Sequence, residues 1–430
     1  MKSAGHAGFS PYFRKKNVMP NTSVFQLLAA SARQHGTPLW CYEAETIRAR
    51  IDQLQGFDVV RYAQKACSNL HILRLIREQG MRIDAVSQGE IERALLAGFS
   101  PDGDPAGIVF TCDLFDEATL RRVVELQLEV NTGSIDMLRQ LGQRSPGHRV
   151  WLRINPGFGH GHSRKTNTGG ENSKHGIWHE QVQDALNVIR QFGLKLVGVH
   201  MHIGSGVDYA HLEQVGCAMV SVVKALDHDI EAFSIGGGLA TPYRAQDEPV
   251  DIQSYASTWR QAKQEIEAWL GHPVRMEIEP GRFLVAESGY LVTEVRAVKK
   301  VGSRNFILVD AGFNDLMRPA LYGAYHHMTL LDAQGVPVSR PEHLCVVGGP
   351  LCEAGDIFTQ DEQGITPRML PEAQVGDLLV IHDTGAYGAA MSSNYNSRPL
   401  LPEVLIEQGQ GKLIRRPQPL SELLALELGL

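Results

Sequence analysis

Nothing in the sequence pairs its cysteines: six of them (Cys41, Cys67, Cys112, Cys217, Cys345 and Cys352) are scattered through 430 residues with no C-x-x-C spacing. That argues against a zinc ribbon or a disulfide framework, and reduced thiols in a cytosol fit best. No basic block occurs beyond Arg415-Arg416, and the formal charge of −7 is spread along the chain, so neither nucleic acid nor an anionic membrane is expected as a partner. No apolar run reaches spanning length, and charged and polar residues stand near the N-terminus where a signal peptide would carry its apolar region. Low-complexity tracts are also missing.

What remains is an ordinary globular composition, 43% hydrophobic and 21% charged, in a chain long enough for two domains or for one barrel of ~250 residues with a companion. Ser23 is read as the cap of a first helix that stops near Gly36, after a polar and irregular stretch over 1–22. Then a repeating rhythm begins. Short apolar strands are expected at 58–64, 81–86, 107–111, 127–131, 149–154, 196–203, 232–235 and 274–278. Helices are expected at 89–97, 117–126, 135–141, 179–191 and 209–226. Eight such units, with short continuously apolar strands and polar residues just after them, predict a closed parallel (β/α)8 barrel over 45–290. Beyond about residue 290 strands follow one another without long helices, at 289–301, 305–309, 327–331, 343–347, 377–382 and 412–416. They predict a β-sandwich or β-barrel domain formed by 1–44 together with 291–430 and closed by a capped helix at 421–428.

In a barrel of this kind chemistry gathers at the strand C-termini. Asp58-Val59-Val60-Arg61-Tyr62-Ala63-Gln64-Lys65 runs as a strand and delivers one lysine at its end. A solvated surface lysine is the ordinary reading; the sharper one is a lysine that condenses with the aldehyde of pyridoxal phosphate. His200-Met201-His202-Ile203-Gly204-Ser205 sends two imidazoles to one face. They suit either a metal pair, given further ligands, or an aromatic plate against a cofactor ring with Gly204 and Ser205 near its phosphate. Gly236-Gly237-Gly238 is not a dinucleotide fingerprint, but its bare backbone N–H groups can wrap an anion. In Glu277-Ile278-Glu279-Pro280-Gly281-Arg282, alternation aims Glu277 and Glu279 at the mouth and the Pro-Gly turn presents Arg282. A carboxylate there can keep a pyridine nitrogen protonated, and an arginine can grip a carboxylate in two-pronged fashion.

Taken with Tyr62-Ala63-Gln64-Lys65-Ala66-Cys67-Ser68-Asn69, these stretches resemble the fold type III pyridoxal-phosphate-dependent decarboxylases, and most nearly the diaminopimelate decarboxylases of the enterobacterial type. Three later stretches share the resemblance: Asp310-Ala311-Gly312-Phe313-Asn314-Asp315-Leu316-Met317-Arg318-Pro319-Ala320-Leu321-Tyr322, Gly349-Pro350-Leu351-Cys352-Glu353-Ala354-Gly355-Asp356 and Gly385-Ala386-Tyr387-Gly388. It covers the chain from about residue 25 onward. It differs from many relatives in having Gln64 and Cys67 in place of Val and Asn, and Ala354 in place of Ser.

The resemblance implies pyridoxal phosphate held by Lys65, with His202 stacked on the ring and Ser205, Gly237 and Gly238 at the phosphate. Asp84, Glu279, Pro280, Gly281, Arg282 and Tyr387 complete the cofactor contacts, and Glu279 faces the pyridine nitrogen. It further implies decarboxylation of meso-2,6-diaminopimelate to L-lysine in the cytoplasm by a homodimer with shared active sites and no metal. Arg282, Arg318 and Tyr322 would take the distal carboxylate and Glu353, from the second subunit, the distal amine. Tyr387 would also touch the substrate, and the partner's thiol at position 352, Cys352, would supply the proton that replaces carbon dioxide. Decarboxylation of ornithine, arginine or carboxynorspermidine would leave the arginines and Glu353 unpaired. An alanine racemase would place a cation where Glu279 stands, and a non-catalytic relative would lack Lys65 or Glu279. A metal hydrolase built on His200 and His202 gives Lys65 no role. The stretch 158–175, rich in Gly, His, Asn and Lys, is read as either a mobile lid or an ordered surface excursion.

Overall fold

The computed structural model describes residues 22–158, 169–202, 204 and 209–428. Helix α1 (Thr22–His35), strand β1 (Leu39–Glu43) and helix α2 (Ala44–Asp52) come first. The alternation then runs β2 (Val59–Ala63), α3 (Leu70–Glu78), β3 (Arg82–Ala85), α4 (Gln88–Ala97), β4 (Ile108–Cys112) and α5 (Glu117–Glu125). It continues with β5 (Glu129–Thr132), α6 (Ile135–Arg144), β6 (Arg149–Asn155), the short β7 (Ile177–Trp178), α7 (Val182–Phe192) and β8 (Lys195–His200). The last turns are α8 (Tyr209–Leu226), β9 (Ala232–Ser234), α9 (Ile252–Leu270) and β10 (Arg275–Ile278).

Strands β2, β3, β4, β5, β6, β8, β9 and β10 pair in parallel in that order, and β10 returns to β2 through Glu277↔Val59 and Ile278↔Val60. The eight-stranded parallel barrel read from the sequence is therefore closed. Its helices start where the sequence supplies side-chain acceptors. Asn69, Ser87, Asp116, Ser134 and Asp251 each accept a backbone N–H in the first turn of the helix that follows, and a cap of this kind stabilises by about 1 kcal/mol. Helix α9 was not among the expected helices, although the Asp251 cap and the buried spacing of Ile252, Tyr255, Ala256, Trp259, Ala262 and Ile266 mark it plainly.

After α10 (Arg282–Val285), strands β11 (Gly289–Val301) and β12 (Arg304–Val309), helix α11 (Arg318–Tyr322), β13 (Met328–Leu331) and β14 (Glu342–Gly348) follow. A small hairpin, β15 (Gln360–Asp361) with β16 (Gly364–Ile365), precedes β17 (Arg368–Pro371), β18 (Leu378–Ile381), β19 (Glu403–Glu407), β20 (Gln410–Arg415) and α12 (Leu420–Leu424). A nine-stranded mixed sheet, mostly antiparallel, joins these strands in the order β17-β14-β12-β11-β1-β19-β20, with β18 also on β11 and β13 on β18.

Strand β1 is buried on both faces, and its period of two decides which core each side chain enters. Leu39 and Cys41 pack with Phe25, Leu28 and Ala29 of α1, whereas Trp40 and Tyr42 enter the larger core that includes the barrel. Neighbouring strands obey the same split, with Val292, Val380 and Val404 on the α1 side and Leu291, Leu379 and Leu405 on the other. Each such large side chain, once buried, contributes roughly 1.5–3 kcal/mol.

Three local expectations are corrected. Helix α1 begins at Thr22, so Ser23 lies within its first turn instead of capping it. The last helix spans Leu420–Leu424 with Pro419 before it and no side-chain cap, so Ser421 does not start it. Strands β17 and β19 were not expected; β17 is an edge strand paired with β14, and β19 lies between its hairpin neighbour β20 and β1, a partner from the other end of the chain that local pattern does not reveal. The irregular segment expected before residue 22 and residues 159–168 of the 158–175 stretch lie outside the described residues.

Candidate active site

Strand β2 ends at Ala63, and the single 3-10 turn Gln64–Ala66 carries Lys65. Gln64 and Ala66 are buried: the Gln64 side chain donates to the Glu90 carbonyl at 3.1 Å, and the Ala66 carbonyl accepts from Tyr387 N at 2.8 Å. Pinned on both sides, the turn leaves Lys65 exposed in the barrel mouth, where among the described residues its amine has no hydrogen-bond or ion-pair partner.

The turn after β10 packs directly on this one. Ala63 N donates to the Pro280 carbonyl at 3.2 Å, and a Cβ on Gly281 would sit 3.0 Å from the Ala63 carbonyl oxygen. Glu279 N in turn donates to Gly236 O at 2.8 Å. Lys65, Glu279 and the glycine loop thus line one cleft of about 570 Å³, part of it open to solvent. Gly236 and Gly238 have φ of +65° and +106°, a region that side chains with a Cβ rarely adopt. A Cβ on Gly237 would lie 2.7 Å from Glu279 O and one on Gly238 2.4 Å from Gly204 O. Only bare backbone fits there, and Gly237 and Gly238 line the cleft.

Further polar side chains line the same space, His200, His202 and Asp84 among them, and Ser234 adjoins it. His200 Nε2 lies 2.9 Å from Glu279 Oε2, and the Ser234 hydroxyl donates to Glu279 Oε1 at 2.7 Å. Burial alone would raise the Glu279 carboxyl, but the facing His200, with the Ser234 hydrogen bond, brings it down to about 2. Asp84, at the end of β3, moves the other way, up to about 6, because it is buried and faces the Glu279 charge. Burial, with the Arg153 guanidinium nearby, holds the His202 imidazole well below its usual range and therefore neutral. A neutral flat ring is suited to stacking. Asp84 Oδ1 and His200 Nδ1 are buried without a hydrogen-bond partner, polar capacity that a bound polar ring can use.

On one flank of the cleft Arg282 Nη1 donates to the Tyr243 hydroxyl at 3.0 Å, and its guanidinium carbon lies 5.0 Å from the Tyr387 ring centre. Arg318, buried at the start of α11, stands 4.8 Å from the Tyr243 ring centre and donates to His326 Nε2 at 2.9 Å. Neither arginine forms a salt bridge among the described residues, so both guanidiniums are available to an anion.

Not every expected residue enters this cleft. Glu277 points into the barrel but below the mouth, where Arg61 Nε meets its carboxylate at 2.6 Å; a buried ion pair consumes the group read as facing the cleft. Cys352 and Glu353 are exposed and do not line the cleft of their own chain. Arg318, buried, and Tyr322, half-buried, both on α11, are also outside the lining. Ser205 lies outside the described residues. Cys67, two residues from Lys65, is buried, and its thiol is pushed up to about 12 by that burial, which leaves it a packing residue. Arg153, Thr111 and Tyr243 were missed. An arginine alternating with Trp151 near the C-terminal end of β6 was a readable signal for the first; Tyr243 sits in an irregular loop and gave none. Among the described residues no group of three or more His, Cys, Asp or Glu side chains could hold a metal ion, and no helix is long and apolar enough to cross a membrane. All six cysteines are unpaired.

A (β/α)8 barrel that presents a lysine, an ionised buried carboxylate and a glycine anion loop at one mouth defines a pyridoxal-phosphate enzyme. Residues 44–286 match the family model described as "Pyridoxal-dependent decarboxylase, pyridoxal binding domain". The chain is 64% identical over 397 residues to the diaminopimelate decarboxylase of Escherichia coli K12, covering 92% of this chain and 94% of that one. It is 62% identical over 402 residues to that of Streptomyces coelicolor, covering 93% and 91%. A crystal structure of diaminopimelate decarboxylase superposes with a TM-score of 0.91 at 62% identity, covering 94% of this chain and 96% of that one. The Helicobacter pylori enzyme complexed with L-lysine gives 0.83 at 32% identity, covering 92% and 98%. The chain belongs to the pyridoxal-dependent decarboxylases and, within them, to the diaminopimelate decarboxylases.

Proposed function

We propose that the chain decarboxylates meso-2,6-diaminopimelate to L-lysine and carbon dioxide, the last step of lysine biosynthesis, as a cytoplasmic homodimer. The observation that carries this reading is the shared cleft of Lys65 and Glu279, lined also by Arg282, with Arg318 outside the lining but on the same Tyr243 ring and neither guanidinium paired with a carboxylate among the described residues. The residues present fit pyridoxal phosphate. Lys65 would hold it covalently, and Gly237, Gly238 and Ser205 would take its phosphate. His202 would lie against its ring, and Asp84, Pro280, Gly281, Arg282 and Tyr387 would fill out the contacts. When bound, the cofactor supplies an electron sink for the bond to the departing carboxylate.

The chain's own residues do the rest. Glu279, its carboxyl held down to about 2 by the facing His200 and the Ser234 hydrogen bond despite its burial, would accept a hydrogen bond from a protonated ring nitrogen and so hold that proton in place. Arg282 and Arg318, with Tyr322, bind the carboxylate at the L-configured end, which leaves the D-configured centre at the reacting position. Removing one partner from such a pair costs on the order of 2–5 kcal/mol of binding. The exposed Cys352 and Glu353 reach the partner's cleft, Glu353 to bind the distal amine and the Cys352 Sγ–H to protonate the carbon that has lost carbon dioxide. The division of labour is a barrel over 45–290 and a β-domain of 1–44 with 291–430.

Carbon dioxide release from meso-diaminopimelate, ornithine and arginine tests the assignment: release from the first alone is expected, and equal release from ornithine overturns it. A Lys65→Ala variant should lose both its yellow colour and lysine formation.

A further inference from the structure

Tyr243, in the irregular segment between β9 and α9, stands between two cations that come from other parts of the chain. Its hydroxyl accepts from Arg282 Nη1 at 3.0 Å, and its ring centre lies 5.9 Å from the Arg282 guanidinium carbon and 4.8 Å from that of Arg318. Two like charges flanking one ring repel each other, and the negative face of the phenol is the group that offsets the repulsion. His326 meets the edge of the same ring, with ring centres 5.4 Å apart at 79°.

His326 is also directional. Arg318 has only donors, so the contact at 2.9 Å requires His326 Nε2 to accept. The proton then sits on Nδ1, which donates to the His382 carbonyl at 2.8 Å. The His382 ring is itself fixed by Thr329 Oγ1 at 2.9 Å from its Nε2. Both Arg318 and His326 are buried. Among the described residues Arg318 has an imidazole and a tyrosine for neighbours and no paired carboxylate, so its charge is left for an anionic ligand.

We propose that Tyr243 and His326 form a rigid frame that sets the direction and separation of the Arg282 and Arg318 guanidiniums, and thereby selects ligands bearing a carboxylate at the end remote from the reacting carbon. The frame rests on the decarboxylase reading above, and it makes Tyr243 and His326 positioning residues. Neither need touch the substrate. Tyr243→Phe removes the hydroxyl and keeps the face, Tyr243→Leu removes both, His326→Leu removes the acceptor and His326→Gln restores one.

The test uses the cofactor-loaded enzyme and two inhibitors that differ in one group. L-Lysine, the product, carries the remote carboxylate, and cadaverine lacks it. Tyr243→Leu and His326→Leu are expected to raise KM for meso-diaminopimelate and Ki for L-lysine by roughly 10-fold or more, with kcat changed much less and Ki for cadaverine unchanged. Tyr243→Phe should fall between wild type and Tyr243→Leu, and His326→Gln should recover most of the loss. L-Lysine inhibition within twofold of wild type in both leucine variants overturns the frame, as does an equal weakening of cadaverine. Should Tyr243→Leu fail to fold, the His326 pair decides alone. Failure of the wild-type enzyme to act on meso-diaminopimelate would be a separate result, striking the parent reading instead.

Discussion

His200 Nε2 lies 2.9 Å from Glu279 Oε2 across the mouth of the barrel, joining the end of β8 to the residue just after β10. Ser234, at the end of the intervening β9, bonds the other oxygen. Three consecutive barrel strands therefore converge on one carboxylate, and its negative charge is fixed before any ligand arrives. Preorganised charge of this kind is what a developing electron sink needs.

Glu279→Gln keeps the volume and removes the charge. The glutamine variant should fold and retain the cofactor while kcat falls by roughly 100-fold or more. Steady-state kinetics with the cofactor absorbance as a loading control checks this, and a kcat within threefold of wild type would take Glu279 out of its role.

Gly238→Ala should fail at the cofactor, not at the fold. At φ +106° an added Cβ would lie 2.4 Å from Gly204 O, so the loop must shift to accommodate it. Affinity for pyridoxal phosphate should drop at least about tenfold, with little change in thermal unfolding of the cofactor-free protein. Equilibrium titration of cofactor into wild type and variant measures it.

The proposed sharing of active sites between subunits is open to complementation. Lys65→Ala and Cys352→Ala proteins, each inactive or nearly so, should recover roughly a quarter of wild-type activity after mixing one to one and exchanging subunits, because half the dimers then contain one intact site of two. No recovery despite demonstrated exchange would place both groups in a single chain's site.

Asp315 gives a pH signature of stability. It accepts from Gly312 N at 3.0 Å and from Asn314 Nδ2 at 3.1 Å, and burial, reinforced by Asp356 and Asp310, pushes its carboxyl up to about 7. A raised carboxyl favours the folded state while protonated; its contribution is full below the unfolded value near 4 and is lost as pH rises through 7. Wild type should therefore lose on the order of a few kcal/mol between pH 4 and 8 from this group. Asp315→Asn should flatten that slope, and equal Tm profiles for the two proteins would refute it.

Much of the site was legible because its parts are local. A strand period of two followed by a glycine or a Pro-Gly turn identifies Lys65, His202, Gly237, Gly238 and Glu279 as residues at strand ends, whatever surrounds them. The same local logic misplaced Glu277, since alternation gives a side chain's face but not its depth, and Arg61 claims it below the mouth. Tyr243 had no local mark at all; only its position between Arg282 and Arg318 gives it meaning.

By itself the sequence determined the repeating strand and helix units, the helix caps and the residue types at each strand end, because hydrophobic period and capping are set by neighbours within a few positions. Tertiary structure decided the rest. Closure of β10 on β2 brings Lys65 and Glu279 into one cleft, and β1 pairs with β11 and β19 across more than 200 residues of chain. The shifts of Asp84 and Glu279 in opposite directions likewise follow from burial and charges contributed by separate strands, and a linear pattern encodes neither.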